Sequence, residues 1–131
     1  MVLGIGNDIT EVARIGRLYE KNGITFLFTI LSQDEIAMVE RRNGKGRAEF
    51  IAGRWAAKEA LGKALGTGLG GNCSPSEITI RNNDSGAPEV YAVGRTAAFL
   101  AERGVGKIWL SISHEKEYAS ATVLLESLEK Q

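Results

Sequence analysis

Two short segments carry residues whose types and spacing could do chemistry. Asp8 ends an apolar run, Val2-Leu3-Gly4-Ile5-Gly6, which reads as a strand with glycines where something approaches the backbone closely. Residues 54–63, Arg54-Trp55-Ala56-Ala57-Lys58-Glu59-Ala60-Leu61-Gly62-Lys63, are helical in character, with Glu59 and Lys63 four apart and so on one face. Gly66-Thr67-Gly68-Leu69-Gly70-Gly71 then ends that helix in an amide-rich loop. Two separated carboxylates, a lysine and a glycine loop are the parts that a magnesium-dependent phosphoryl-group enzyme needs.

Each residue also has an ordinary structural reading. Asp8, with Glu11 three residues on, suits a helix cap as well as a metal ligand. Gly4 and Gly6 fall on its strand face, which predicts open space beside the acid. Glu59 could be a surface ion pair with Lys63, but the small and apolar residues around it predict partial burial and need of a counter-charge. A C-terminal cap explains Gly66 but not four glycines in six residues; the loop leaves a helix and lacks the Gly-Lys-Ser/Thr of a P-loop. His114, the single histidine, shares a strand face with Ile108, Leu110 and Ile112 and sits at its rim. Cys73 has no second soft ligand beside it and reads as an ordinary small residue.

The elements that must position these residues follow from periodicity and turn chemistry. Residues 2–9 predict a strand. Thr10 is placed to cap a helix in which Val12, Ile15 and Tyr19 recur at helical spacing as far as Gly23. Ser32-Gln33-Asp34-Glu35 is a capping box before a helix to about Arg42, and residues 43–46 read as a loop. A long helix spans about Arg47 to Leu65, with Phe50, Gly53, Ala57, Ala60 and Ala64 along one stripe. Strands are predicted over Ser76–Arg81, Pro88–Val93, Ile108–Ser113 and Ala119–Val123, with a turn at Asn82–Gly86 and a short helix from Arg95 to Arg103, closed by Gly104. Local hairpins with helices between them predict an α+β fold.

At 131 residues and 44% hydrophobic, the chain has room for a single domain, residues 1–131, with one core. Sixteen basic residues balance sixteen acidic ones, so no global field attracts nucleic acid or an anionic membrane. One cysteine, no apolar run near ~18 residues and no basic start before an apolar stretch predict a soluble cytoplasmic protein. Arg14, Arg17 and Lys21 form one basic stripe on the first helix, either a solvated face or a docking site for an acidic helix.

Taken together these residues resemble the bacterial holo-acyl carrier protein synthases, the small 4′-phosphopantetheinyl transferases. Gly4-Ile5-Gly6-Asn7-Asp8-Ile9 through Arg14-Ile15 resembles the family's opening motif, and Leu31-Ser32-Gln33-Asp34-Glu35 its second. Glu49-Phe50 through Gly68 matches the longest motif; Gly86-Ala87-Pro88, Ser111-Ile112-Ser113-His114-Glu115 and Tyr118-Ala119 match later ones, in order along the whole chain.

The resemblance implies the family's fold, an antiparallel sheet packed against a long central helix, in a homotrimer with sites between subunits. It implies transfer of the 4′-phosphopantetheine arm of coenzyme A to a serine of apo-acyl carrier protein, releasing adenosine 3′,5′-bisphosphate, in the service of fatty acid biosynthesis. Asp8 and Glu59 would hold magnesium, or manganese in its stead, and Lys63 would neutralise charge on the pyrophosphate. Arg54, Lys63, Gly66, Thr67, Gly68 and His114 would contact coenzyme A, His114 on behalf of a neighbour's Asp8 and Glu59. Arg14, and with it Arg17 and Lys21, would face the carrier protein. A metal-bound water and Asp8 acting through water both stand as the base for the incoming serine. Relatives have a basic cluster running into a phenylalanine where this chain reads Lys21-Asn22-Gly23-Ile24-Thr25-Phe26-Leu27-Phe28, with fewer charges and more apolar surface. Two rival classes, a coenzyme A-binding module without turnover and a structural trimerisation domain, leave Asp8, Glu59 and Lys63 without a purpose.

Overall fold

A computed structural model of the chain describes residues 1–128, Lys45 by its backbone alone; the last three residues of the expected domain lie outside this range. Strand β1 (Val2–Glu11) leads into helix α1 (Val12–Asn22), which Gly23 closes at φ 61° with its amide on the Tyr19 carbonyl. Thr10 is not the cap. It stays in the strand, where its hydroxyl donates to Asp8 Oδ2, and Glu11 takes the N-cap position without a side-chain capping bond. Asp8 likewise lies within the strand and caps nothing.

Helix α2 (Ile24–Ile30) has no counterpart in the sequence-based expectation. Ile-Thr-Phe-Leu-Phe-Thr-Ile is β-branched and aromatic, so its intrinsic preference is not helical. Burial of Leu27 and Ile30 against the core overrides that preference. Helix α3 (Gln33–Glu40) starts at the expected capping box: the Glu35 amide donates to Ser32 Oγ, and the Ser32 amide donates to Glu35 Oε1. Helix α4 (Gly44–Leu65) is 22 residues long and begins inside the segment expected to be a loop. Arg47 holds that start in place, its guanidinium donating to the carbonyls of Val39 and Arg42.

A 3₁₀ turn at Pro75–Glu77 precedes β2 (Ile78–Asn82), so this strand starts two residues after Ser76. Asn83 Oδ1 accepts from the amides of Ser85 and Ala87 and makes the tight turn into β3 (Pro88–Ala92). Helix α5 (Gly94–Glu102), β4 (Val105–His114) and β5 (Tyr118–Ser127) complete the chain. The strands form two antiparallel sheets where one was expected: three strands in the order β1-β5-β4, and the separate pair β2-β3.

Helix α4 packs across the three-stranded sheet, chiefly on β1 and β5. The predicted stripe, Phe50, Gly53, Ala57, Ala60 and Ala64, is buried throughout, but so is most of the remaining helix surface. From Trp55 to Leu65 only Trp55, Glu59 and Lys63, spaced four apart, reach solvent in part or in full. One core cluster lies between this helix, β2, α5 and β5. The other joins its N-terminal half to α1, α2 and α3.

Candidate active site

The glycines of β1 set how closely α4 approaches. A Cβ on Gly4 would lie 2.0 Å from the Ala64 carbonyl oxygen, and one on Gly6 2.0 Å from that of Ala60. The face that carries Asp8 is therefore pressed onto helix backbone, not open as the glycines alone suggested. Only residues without a side chain permit this contact. Its consequence is that Glu59 and Lys63, on the exposed line of α4, come up beside Asp8.

Lys63 Nζ donates to Asp8 Oδ1 at 3.0 Å and to the Asn7 carbonyl at 3.0 Å. Thr10 Oγ1 donates to the other Asp8 oxygen at 3.0 Å. Asn7 turns to the far side of the strand and donates to the Ala121 carbonyl and the Thr122 hydroxyl, each at 2.9 Å, which holds this part of β1 against β5. Burial pushes the Glu59 carboxyl above the usual carboxylate range, the Asp8 charge pushes it further, and Lys63 partly opposes both. A carboxylate raised by a second carboxylate is under-compensated, and one lysine ammonium does not neutralise two acids. The donor set suits a hard, oxygen-seeking cation that keeps most of its water: two carboxylates, with no group of three or more His, Cys, Asp or Glu side chains among the described residues.

The glycine loop after α4 is a helix stop first. Gly66 adopts φ 79° and its amide bonds the Lys63 carbonyl at 3.0 Å, while the Gly68 amide reaches back to the Gly62 carbonyl at 3.0 Å. Thr67 Oγ1 donates to the Gly68 carbonyl. Two amides that could have cradled a phosphate are thus engaged in capping. Gly62 is also required by contact, since a Cβ there would sit 2.8 Å from the Gly68 carbonyl carbon.

Arg54 and His114 lie in a different place. They line a cavity of about 290 Å³ together with Arg42, Glu49, Phe50 and Asn82, and a second cavity of about 180 Å³ continues from it towards Gly86 and Pro88. Arg54 is only 8% exposed. One of its terminal nitrogens donates to the Ile80 carbonyl at 3.2 Å, but among the described residues its buried Nε has no hydrogen-bond partner. Burial pulls the guanidinium below its ordinary pKa, Glu35 opposes this, and Arg42 adds to it. The Arg54 and Arg42 guanidinium carbons lie 4.5 and 3.9 Å from the centre of the Phe50 ring. At the rim His114 Nδ1 is 3.4 Å from Glu49 Oε1, an ion pair when the imidazole is protonated. Two guanidiniums around an aromatic face make a lining that suits an anion, with Glu49 as the one acid in it.

The expected site residues thus fall into two groups: Asp8, Glu59 and Lys63 with Gly66, Thr67 and Gly68 following, and Arg54 with His114. Five residues of helix separate Arg54 from Glu59, about 140° of rotation and roughly 7.5 Å of rise. Within one chain the groups face different sides of α4. Arg14, Arg17 and Lys21 line one exposed side of α1, Arg17 loosely tied to Glu11 at 3.4 Å.

Sequence reasoning missed Arg42, Glu49, Phe50 and Asn82 as cavity lining, although Phe50 and Arg54 stand at helical i, i+4 spacing. It also missed Lys58, which is fully buried. Lys58 Nζ donates to Glu35 Oε1 and to the carbonyls of Ile30 and Pro75. Burial lowers its pKa, and Glu35 holds it up. Glu35 had a sufficient reason to be on the surface, as half of a capping box, and nothing in its spacing announced a second role.

The model of the 4′-phosphopantetheinyl transferase superfamily matches residues 4–123. The chain is 42% identical over 128 residues to a holo-[acyl-carrier-protein] synthase of a Geobacillus strain, covering 98% of this chain and 99% of the relative. It is 44% identical over 126 residues to the synthase of Shewanella denitrificans, covering 96% and 98%. Among solved structures, the Neisseria meningitidis synthase superposes with a TM-score of 0.90 at 35% identity, over 97% of this chain and all of that one. A Bacillus anthracis synthase in complex with CoA (3′,5′-ADP) gives 0.82 at 40% identity, over 97% and 98%. The chain therefore belongs to the 4′-phosphopantetheinyl transferase superfamily and, within it, to the holo-[acyl-carrier-protein] synthases, a family of enzymes.

Proposed function

We propose that the protein moves the 4′-phosphopantetheine group of coenzyme A to a serine hydroxyl of an apo-acyl carrier protein and releases adenosine 3′,5′-bisphosphate. The observation that carries this reading is the trio at β1 and α4, with Lys63 bonded to Asp8 and Glu59 near enough to feel the charge of both. In the reaction the serine hydroxyl gives up its proton to water, with Asp8 as a candidate acceptor beyond it, and the serine oxygen forms a new bond to the phosphorus next to the pantetheine arm. The bond from that phosphorus to the bridging oxygen breaks, and the bridging oxygen leaves with the bisphosphate.

Asp8 and Glu59 would hold magnesium, which when bound supplies neutralisation of the pyrophosphate charge. Lys63, already directed at this point by Asp8 and the Asn7 carbonyl, adds a fixed positive charge where negative charge develops on the leaving oxygen. Arg54 and His114 would take a phosphate group of coenzyme A, the Arg54 guanidinium supplying positive charge to the cavity that it lines. The Gly66–Gly68 turn would border the nucleotide and shape its entry.

We also propose that the working unit is a homotrimer. Two features support it. The two groups of site residues face different sides of one chain's α4, so one ligand spanning both is served by two chains. The outward face of the three-stranded sheet carries an apolar row, Ile5, Leu124 and Trp109, paired across β1, β5 and β4, with Ile5 66% and Trp109 53% exposed. Copies of this chain covering that face would remove the row from water. The carrier protein would dock on α1 through Arg14, Arg17 and Lys21, with Ile24 and Phe28 of α2 as apolar neighbours. No helix among the described residues is long and apolar enough to cross a membrane, and the lone cysteine is buried, which suits a cytoplasmic enzyme.

The test is a chromatographic assay for adenosine 3′,5′-bisphosphate. It should accumulate one-for-one with loss of coenzyme A, and only when magnesium and apo-carrier protein are both present. Coenzyme A cleavage without the carrier would argue for a hydrolase instead.

A further inference from the structure

Among the described residues three charged side chains are buried: Glu35, Arg54 and Lys58. They form one connected group. Lys58 Nζ donates to Glu35 Oε1 at 2.5 Å, to the Ile30 carbonyl at 3.0 Å and to the Pro75 carbonyl at 2.8 Å, which uses all three of its protons. Glu35 Oε1 also accepts from the Ser32 amide at 3.0 Å, and Oε2 accepts from the Ile80 amide at 2.8 Å. The carbonyl of that same Ile80 accepts from Arg54. A single peptide residue thus separates the buried carboxylate from the buried guanidinium.

Among the described residues two buried cations share one buried anion, so this buried group sums to one positive charge. The connections show where it resides. Lys58 has the carboxylate and two carbonyls. Arg54, which lines the anion pocket, donates to one carbonyl, and among the described residues its buried Nε has no partner. Glu49, the other acid of that pocket, lies 3.4 Å from His114 Nδ1, an ion pair when the imidazole is protonated. Removal of Lys58 would leave Glu35 as a buried acid with Arg54 as its nearest buried cation.

We propose that Lys58 and Glu35 are positioning residues for substrate binding: Lys58 occupies Glu35, and so keeps the charge of Arg54 available to a phosphate group of coenzyme A. The inference rests on the transferase reading for the identity of the ligand. It assigns the lysine next to Glu59 a role in the anion pocket, not in the carboxylate cluster.

The experiment is calorimetric titration of the purified protein with coenzyme A and with adenosine 3′,5′-bisphosphate, without carrier protein, alongside steady-state kinetics. Lys58→Met should weaken both ligands at least tenfold and raise KM for coenzyme A to match, with kcat at saturating coenzyme A within about threefold of wild type. The double variant Lys58→Met/Glu35→Gln removes both partners, so no uncompensated acid is left to claim Arg54. Its glutamine amide can accept from only one of the two backbone N–H groups that Glu35 serves, those of Ser32 and Ile80, so stability should fall. With no acid left to claim Arg54, the affinity should return to within about threefold of wild type. A folded Lys58→Met protein with wild-type affinity, or a folded double variant as weak as Arg54→Ala, would overturn the proposal. Should Lys58→Met fail to fold, the double variant decides alone by the same criterion. Wild-type protein that did not bind coenzyme A would overturn the transferase reading and this inference with it; wild-type binding with the wrong variant pattern overturns only the inference.

Discussion

Asp8 and Glu59 stand close enough that the charge of one raises the proton affinity of the other. A raised carboxyl binds protons more readily in the folded protein than in the unfolded chain. The metal-free protein should therefore lose stability as pH rises from the ordinary carboxylate pKa through the raised one, and level off above it. Glu59→Gln removes that repulsion. At neutral pH without metal it should melt above wild type, while magnesium-dependent turnover falls by several orders of magnitude. Asp8→Ala should lose turnover equally and leaves Lys63 its bond to the Asn7 carbonyl. Melting curves with and without magnesium, beside kcat at saturating coenzyme A, check both variants. Near-normal kcat in either would remove the metal assignment.

The contact of β1 with α4 decides whether those side chains meet. Gly6→Ala would drive a methyl into the Ala60 carbonyl, a backbone atom that cannot step aside. It should cost ~2–3 kcal/mol or more by overpacking and lower activity by separating Asp8 from Glu59 and Lys63. Gly16→Ala is the contrasting case: it lies inside α1, and its new methyl would meet only Ala48 Cβ at an ordinary 3.6 Å. It should stabilise by about 0.5–1 kcal/mol through helix propensity alone. Chemical denaturation of both variants separates propensity from contact. On the proposed docking face, Phe26 is half-buried against the core, while Ile24 and Phe28 are about half exposed, at 50% and 54%. Arg14→Glu should raise KM for carrier protein and flatten its salt dependence, with coenzyme A affinity unchanged. Phe28→Ala should instead reduce the salt-resistant part of binding, read from KM across a salt series. If Arg14→Glu weakened coenzyme A and spared the carrier, this arginine would belong to the nucleotide pocket.

Much of this was legible in the chain itself, and the gaps have physical causes. The capping box at Ser32, the buried stripe of α4 and the stops at Gly23 and Gly66 follow from local rules that tertiary contacts did not contradict. Helix α2 was not legible, because Leu27 and Ile30 hold helical a segment whose composition opposes it. Gly4 and Gly6 announced a close approach but not its partner, which depends on where α4 crosses the sheet. The acids and Lys63 could be picked out by type, whereas the pocket of Arg42, Phe50, Arg54 and Asn82 needs α4, β2 and the end of α3 brought together.

The two groups of site residues also make a prediction about assembly. His114→Ala and Glu59→Ala proteins, each inactive alone, should regain partial activity when mixed under conditions that exchange subunits, because some interfaces then carry both intact groups. Mixtures that stayed inactive while exchange was demonstrated would place the whole site within one chain. All of this presupposes group transfer to a carrier protein, and intact-mass spectrometry of the carrier tests that most directly. After incubation with the protein, coenzyme A and magnesium, the apo-carrier should gain the mass of one phosphopantetheine on a single serine, and none when Glu59→Gln replaces wild type. A carrier of unchanged mass, after incubation with folded wild-type protein shown to bind coenzyme A, would contradict the account.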